Sequence, residues 1–284
     1  MQKQIIYVLS GFLLFIAVYL CVGIIKMPAL DMRDTLQKGE LLLYRKFFLY
    51  PHHHDIIVYK SDYYPEGDSS ESSRYFFIQR VVALPGDTLL IDSNKVFINH
   101  KLEPFIASVQ KNYIIDLEDS IEKYPYLNTR IPEQVLISKK FEYAVSVSYT
   151  LYQQLKQDKH ITGISYDLEY PSVYEEAIFP HSEHFHWNKH FFGPLYLPKK
   201  NDTLKLNKKN LLLYFPLIQK EEKSLFLQND SLFINGQYTP IYLFKNDYYF
   251  VMGDNRDNAI DSRYLGPVKQ DDIIGIVFYW SLKK

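Results

Sequence analysis

The chain has a single cysteine, Cys21, so no disulfide can form within it and its fold rests on packing alone. An exported domain without paired cysteines fits this, because it avoids oxidative mispairing. Net charge is also nearly absent, −1 over 284 residues. The basic residues are dispersed rather than striped along one face, which gives no reason to expect a nucleic-acid partner. Glycine is sparse, with 11 residues against 25 tyrosines and 19 phenylalanines. That balance favours strands and half-buried aromatic surfaces. With 47% apolar residues, the length allows one large well-packed domain or two small ones.

What is present begins with residues 5–25, IIYVLSGFLLFIAVYLCVGII, an uncharged run bounded by Lys3 and Lys26. At about 1.5 Å per helical residue it would span roughly 30 Å, the thickness of the hydrocarbon layer. A cleaved signal peptide is the competing reading. The run is too long for its apolar segment, and IIKMP has no small-residue cleavage site. The expectation is a single-pass membrane anchor over residues 1–26. Charge does not orient it in the usual way, since Lys26, Arg33, Lys38, Arg45 and Lys46 all follow the run.

Beyond the anchor the signals are those of strands. LLLYRKFFLY and DIIVYK are separated by PHHH and read as strand, turn, strand. SDYYPEGDSSESSR reads as a flexible polar loop. YFFIQRVVALPGDTLLI reads as two strands with LPGD between them. DDIIGIVFYWSLKK is a further strand, its apolar stretch too short to be a second membrane span. Residues 100–245 lack a sustained helical period except near YTLYQQLKQ. One internal echo stands out. SNKVFINHKLEP (93–104) and NDSLFINGQYTP (229–240) share a spaced F-I-N…P core, and each reads as a hairpin. Together they mark where the chain would leave a first sheet and return to it.

Chemistry concentrates near the C-terminus, in YYFVMGDNRDNAIDSRYLGPV (248–268). A strand ends at Gly253 and a dense polar turn follows. Such a cluster is either a solvated loop with local Asx turns or a lattice of bidentate ion pairs between its arginines and aspartates. The apolar flanks on both sides favour the lattice. The histidines His181, His184, His186 and His190, with His52, His53 and His54, are a candidate metal set, with His184 and His186 expected to share a strand face. No cysteine is available and Glu183 is the one acidic neighbour, so no metal and no cofactor are expected. The aromatics around Tyr248 to Phe250 and Tyr279 to Trp280 suit either a membrane interface or plain core packing.

GDNRDNAIDSR, taken with MPALDMRDTLQKGE, HDIIVY and QRVVALPGD in that order and spacing, resembles type I signal peptidase. HWNKHFFGPLYLPKKNDTLKLN is similar to the enlarged insertion of Bacteroidetes-type members. The resemblance implies a mainly antiparallel β fold. A catalytic-type core would be built from residues 27–99 and 246–284, and an inserted β-rich subdomain from 100–245. It also implies a body on the periplasmic, outer face of a bacterial inner membrane and a role in removing signal peptides from secretory preproteins.

The family works through a Ser–Lys dyad, and here its positions are replaced. The nucleophile position, directly before Met32, is Asp31. The serine whose hydroxyl helps bind the oxyanion is replaced by Ala29. The base position, directly before Arg80, is Gln79, and the serine that supports the base is replaced by Ala259. The frame persists in Asp254, Asn255, Arg256, Asp257, Asp261 and Arg263. A side-chain amide is essentially non-basic, and acyl transfer to Asp31 would give an anhydride with a costly forward step. Loss of one oxyanion donor alone costs about 10²–10³ in rate. An aspartic-type mechanism would need a second carboxylate sharing a proton with Asp31, and Asp34 is the nearest in sequence.

The expectation is therefore a disarmed homologue in which Asp31 accepts a hydrogen bond from Gln79 where the dyad contact would be. Such a site still binds an extended segment of an exported preprotein as an added β-strand, with Leu30, Met32 and Val81 as groove walls. The expected partners are the lipid bilayer, secretory preproteins or their signal peptides, and an active signal peptidase paralogue. Two other readings stay open: an active endopeptidase with a site rearranged around Asp31, and a structural protein whose groove its own side chains fill.

Overall fold

The computed structural model describes residues 20–61, 75–131, 134–138 and 140–280. Most of the N-terminal apolar run and the Ser-rich loop 62–74 lie outside the described residues. Among those described, no helix is long and apolar enough to cross a membrane.

A seven-stranded sheet carries the candidate site. In spatial order its strands are Val22–Lys26, Leu41–Arg45, Ile273–Trp280, Ile56–Ser61, Tyr75–Ala83, Tyr248–Met252 and Val268–Lys269, each antiparallel to its neighbours. The edge strand revises the sequence expectation. Val22, Gly23, Ile24 and Ile25, the end of the apolar run, pair in register with Arg45 back to Leu42, so an anchor helix stops short of them. Gly23 and Gly275 flank the Tyr44 ring. A Cβ at either glycine would lie 2.0 Å from a Tyr44 ring carbon, so the ring lies flat over the sheet only because both positions lack one.

Strands adjacent in sequence are often not partners. Leu41–Arg45 and Ile56–Ser61 are separated by the C-terminal Ile273–Trp280. The LPGD turn hands the chain from Tyr75–Ala83 to a different sheet, built from Phe192–Tyr196, Thr88–Asp92, Lys95–Ile98 and Lys101–Leu102. Both copies of the internal echo form hairpins. Their turns, Asn99–His100 and Asn235–Gly236, have positive φ at both central residues, the backbone that matches the twist of flanking strands. The hairpins sit in separate sheets.

Residues 100–245 do not share one core. Gln110–Leu117, Glu142–Ser148, Gln134–Ser138 and Ile161–Tyr166 make a four-stranded sheet. Its alternating Tyr113, Ile115, Leu117, Tyr143, Val145 and Val147 form a separate cluster, closed by Leu155 from the helix Tyr149–Leu155. Residues from Ile178 onward pack instead with Val82 to Val96 and Tyr248 to Met252.

That larger core contains the helix Lys208–Glu221, which the sequence pattern did not reveal because Pro216 interrupts it. Proline removes one backbone donor and crowds the preceding turn. The helix survives because Asn207 caps it by accepting from the Asn210 amide at 2.9 Å, and because Leu211, Tyr214, Leu217 and Ile218 bury one face. Leu217→Ala is expected to lower stability by about 2–5 kcal/mol, read as a reduced midpoint of chemical unfolding.

Candidate active site

The segment before Leu41 folds into a compact turn whose backbone bonds are local: Arg33 N–H to Leu30 O at 3.0 Å and Leu36 N–H to Met32 O at 2.7 Å. Met32 and Leu36 are fully buried and pin the turn to the core. Asp31 therefore faces the middle of the strand Tyr75–Ala83, where Gln79 points at it. Gln79 Nε2 donates to Asp31 Oδ2 at 3.3 Å and to the Ile260 carbonyl at 2.7 Å. Gln79 Oε1 accepts from the Tyr59 hydroxyl at 2.8 Å. Both donors of the amide and its carbonyl are engaged, which is what a carboxamide with no exposed surface requires. Burial pushes the Asp31 carboxyl up to about 6; the Gln79 bond opposes this and the nearby Asp261 charge adds to it.

The polar turn after Gly253 is a buried lattice, not a solvated loop. Asp254, Asp261 and Arg263 have no exposed surface. Arg263 clamps Asp261 through Nε at 2.9 Å and Nη2 at 2.8 Å. Its pairing is partly different from a lattice closed within the loop. Asp254 takes Arg80, at 2.8 and 2.6 Å, while Arg256 reaches Glu103 with both terminal nitrogens at 3.0 Å. Asp257 meets His190 Nε2 at 2.8 Å and the Asn112 amide at 2.6 Å. Burial alone would raise the Asp257 carboxyl, but these bonds outweigh it and hold it below the usual range. The lattice touches Asp31 directly: the Asn255 amide donates to the Asp31 carbonyl at 2.9 Å. A Cβ on Gly253 would lie 2.6 Å from that same carbonyl oxygen and 2.4 Å from Ala259 Cβ.

Asp31, Gln79 and Ala259 thus converge on one place, and Ala29 lies in the same turn as Asp31. The expected groove walls do not all converge. Leu30 is exposed, whereas Met32 and Val81 have no exposed surface; the Met32 sulfur instead accepts the Asp254 amide at 3.4 Å. Met32 is sealed by the packing of the turn against Leu36 and Leu42, and Val81 by the neighbouring strand residues Ile57 and Val251. Asp34 does not pair with Asp31. It has positive φ and accepts from Gln110 Nε2 at 2.8 Å. His184 and His186 do not share a strand face, since this stretch is a turn. Among the described residues no three His, Cys, Asp or Glu side chains gather as a metal site would.

Tyr59 and Glu103 are not among the site residues expected from the sequence, and His190, a candidate metal ligand there, serves instead as the partner of Asp257. Tyr59 was findable, because in a strand it lies two positions from Ile57, on the same face, and Ile57 pairs with Gln79. A cleft of about 850 Å³ opens beside the pair, with Tyr59, Asp257, Asn258, Ala259, Ile260 and Tyr264 among its walls.

A family model described as signal peptidase, peptidase S26, matches residues 2–158 and 197–281. The chain belongs to this family. Signal peptidase I of Aquifex aeolicus (strain VF5) is 26% identical over 294 residues, covering 100% of this chain and 86% of the relative. Signal peptidase I of Buchnera aphidicola subsp. Baizongia pistaciae (strain Bp) is 23% identical over 305 residues, covering 98% and 77%. Signal peptidase I P of Bacillus subtilis subsp. natto is 36% identical over 95 residues, 32% of this chain and 48% of that protein.

Two outcomes follow from the geometry. Arg80→Met leaves Asp254 buried without its cation and is expected to cost about 3–5 kcal/mol, measured by denaturant unfolding. Asp31 is raised from an ordinary value of 3.8 to about 6, so between those values the folded chain holds a proton that the unfolded chain has lost. Stability should therefore fall as pH rises through that window. Asp31→Asn removes the effect. The variant should exceed wild type by about 3 kcal/mol at pH 8, with the gap closing towards pH 4 in thermal melts.

Proposed function

We propose that this protein is a membrane-anchored member of the signal peptidase family that binds extended segments of secretory preproteins without cleaving them by Ser–Lys chemistry. One observation carries the reading. The atom that would have to accept a proton at the base position belongs to a carboxamide whose donors and acceptor are all engaged, by Asp31, Ile260 and Tyr59. No hydroxyl is present at the nucleophile position to be activated.

Recognition makes different demands. A peptide added as a strand is held by main-chain hydrogen bonds, which need neither nucleophile nor base. The frame that shapes the site retains its buried ion pairs, which supports a surface kept for binding. The apolar residues preceding Val22 serve as the anchor in this reading and place the body against the outer face of the inner membrane. Its clients are signal peptides or adjoining preprotein segments, and an active signal peptidase is the natural partner.

Asp31 favours one competing reading. A carboxyl raised to about 6 lies where a general base operates near neutral pH, so an endopeptidase rearranged around Asp31 would use it to activate water.

Signal-peptide cleavage by the purified full chain in detergent separates the two. The assay compares wild type, Asp31→Asn, and the fourfold variant Ala29→Ser, Asp31→Ser, Gln79→Lys, Ala259→Ser. Silent wild type that binds the signal peptide, with cleavage by the fourfold variant, is the expected result. Cleavage by wild type that Asp31→Asn abolishes would replace the binding reading with the Asp31-based peptidase. A wild type that neither cuts nor binds the peptide would overturn both.

A further inference from the structure

Lys111 is a partly buried cation that plays no part in the site around Asp31. It sits on the strand Gln110–Leu117, where the four-stranded sheet meets the buried loop: the Gln110 amide donates to Asp254 O at 2.8 Å and the Arg256 amide to Gln110 O at 3.0 Å. Lys111 Nζ donates to the Asn94 carbonyl and stands 5.6 Å from the centre of the Tyr166 ring. It lines a cavity of about 420 Å³, within the range that holds a small organic molecule.

Two features of this cavity call for an acceptor. Arg256 lines it, is 2% exposed, and spends both terminal nitrogens on Glu103. Its Nε–H is buried with no acceptor at all, a state that costs about 1–3 kcal/mol or more for a charged donor. The Lys111 ammonium is held down to about 8, by burial first and then by the neighbouring Arg256 charge. Glu103 also lines the cavity but is spent on Arg256, and Lys95 adds a further cation to the wall, so an anion entering beside Lys111 meets net positive charge.

The rest of the wall is aromatic. Tyr113 and Tyr166 stack with centroids 4.9 Å apart. Phe105 and Tyr149 meet edge to face at 4.4 Å on the rim, where Phe105 is 64% exposed. Such a wall takes a flat apolar body.

We propose that this cavity binds a small organic carboxylate with a planar aromatic body, its carboxylate between Lys111 and Arg256 and its ring among Phe105, Tyr149 and Tyr166. The shape and charge of the pocket define that class without reference to Asp31, so the proposal stands apart from the peptide-binding reading.

Isothermal titration of the purified full chain with 3-phenylpropanoate and with the neutral 3-phenylpropan-1-ol tests it. Saturable one-site binding of the carboxylate, at least tenfold tighter than the alcohol, is expected. Lys111→Met should weaken the carboxylate tenfold or more while leaving the alcohol unchanged. Phe105→Ser, at an exposed rim position that folding does not depend on, should weaken both probes several-fold. Equal affinity for the two probes, absence of carboxylate binding, or binding indifferent to Phe105→Ser would overturn the assignment.

Discussion

Three aspartates and two arginines of a single loop lie out of water, and a buried charge is tolerated only where a counter-charge meets it with good geometry. Asp261 finds Arg263 within the loop, Asp254 finds Arg80 on the neighbouring strand, Asp257 finds His190, and Arg256 finds Glu103. Because Arg80, Glu103 and His190 come from three separate stretches of chain, the pairs tie the end of the sequence to strands and turns laid down much earlier. Asn255 and Gly253, held between the pairs, then bring the Asp31 turn into backbone contact. The position of Asp31 is thus a consequence of charge pairing some distance from it.

That frame holds its shape independently of the residues at the centre of the site. None of the ion pairs passes through Asp31, Gln79, Ala29 or Ala259, so substitution there leaves the lattice intact. Gln79 serves its position through hydrogen bonding: an amide satisfies Tyr59, Ile260 and Asp31 together. A buried lysine would need its charge met or its proton removed. In the proposed reading the replacement settles the interior of the site and retains its outer surface for peptide.

Much of this was legible in residues alone. The polar block after Gly253 announced a buried lattice through its apolar flanks, and the pairing of Asp31 with Gln79 followed from the positions both occupy. The echoing F-I-N hairpins were readable because Asn, which tolerates positive φ, leads both turns. Other features depended on distant partners. Glu103 and His190 are ordinary polar residues until the fold sets them beside Arg256 and Asp257. Met32 and Val81 suggested an open apolar wall, but the residue pattern does not say which apolar side chains the turn and the neighbouring strands will seal. The helix through Pro216 was hidden because its stability comes from a cap and a buried face, not from local propensity. Likewise, sequence order implied hairpins where the C-terminal strand in fact inserts between neighbours.

The central claim is that Asp31 and Gln79 form one hydrogen-bonded unit, with the carboxyl desolvated and the amide as its donor. A pH titration of the full chain in detergent, following a ¹³C-labelled Asp31 carboxyl and the Gln79 side-chain amide by NMR, measures that unit directly. The account predicts a carboxyl midpoint near 6, with the Gln79 amide protons shifting at the same midpoint. A midpoint near 4 with a Gln79 amide insensitive to pH would contradict it.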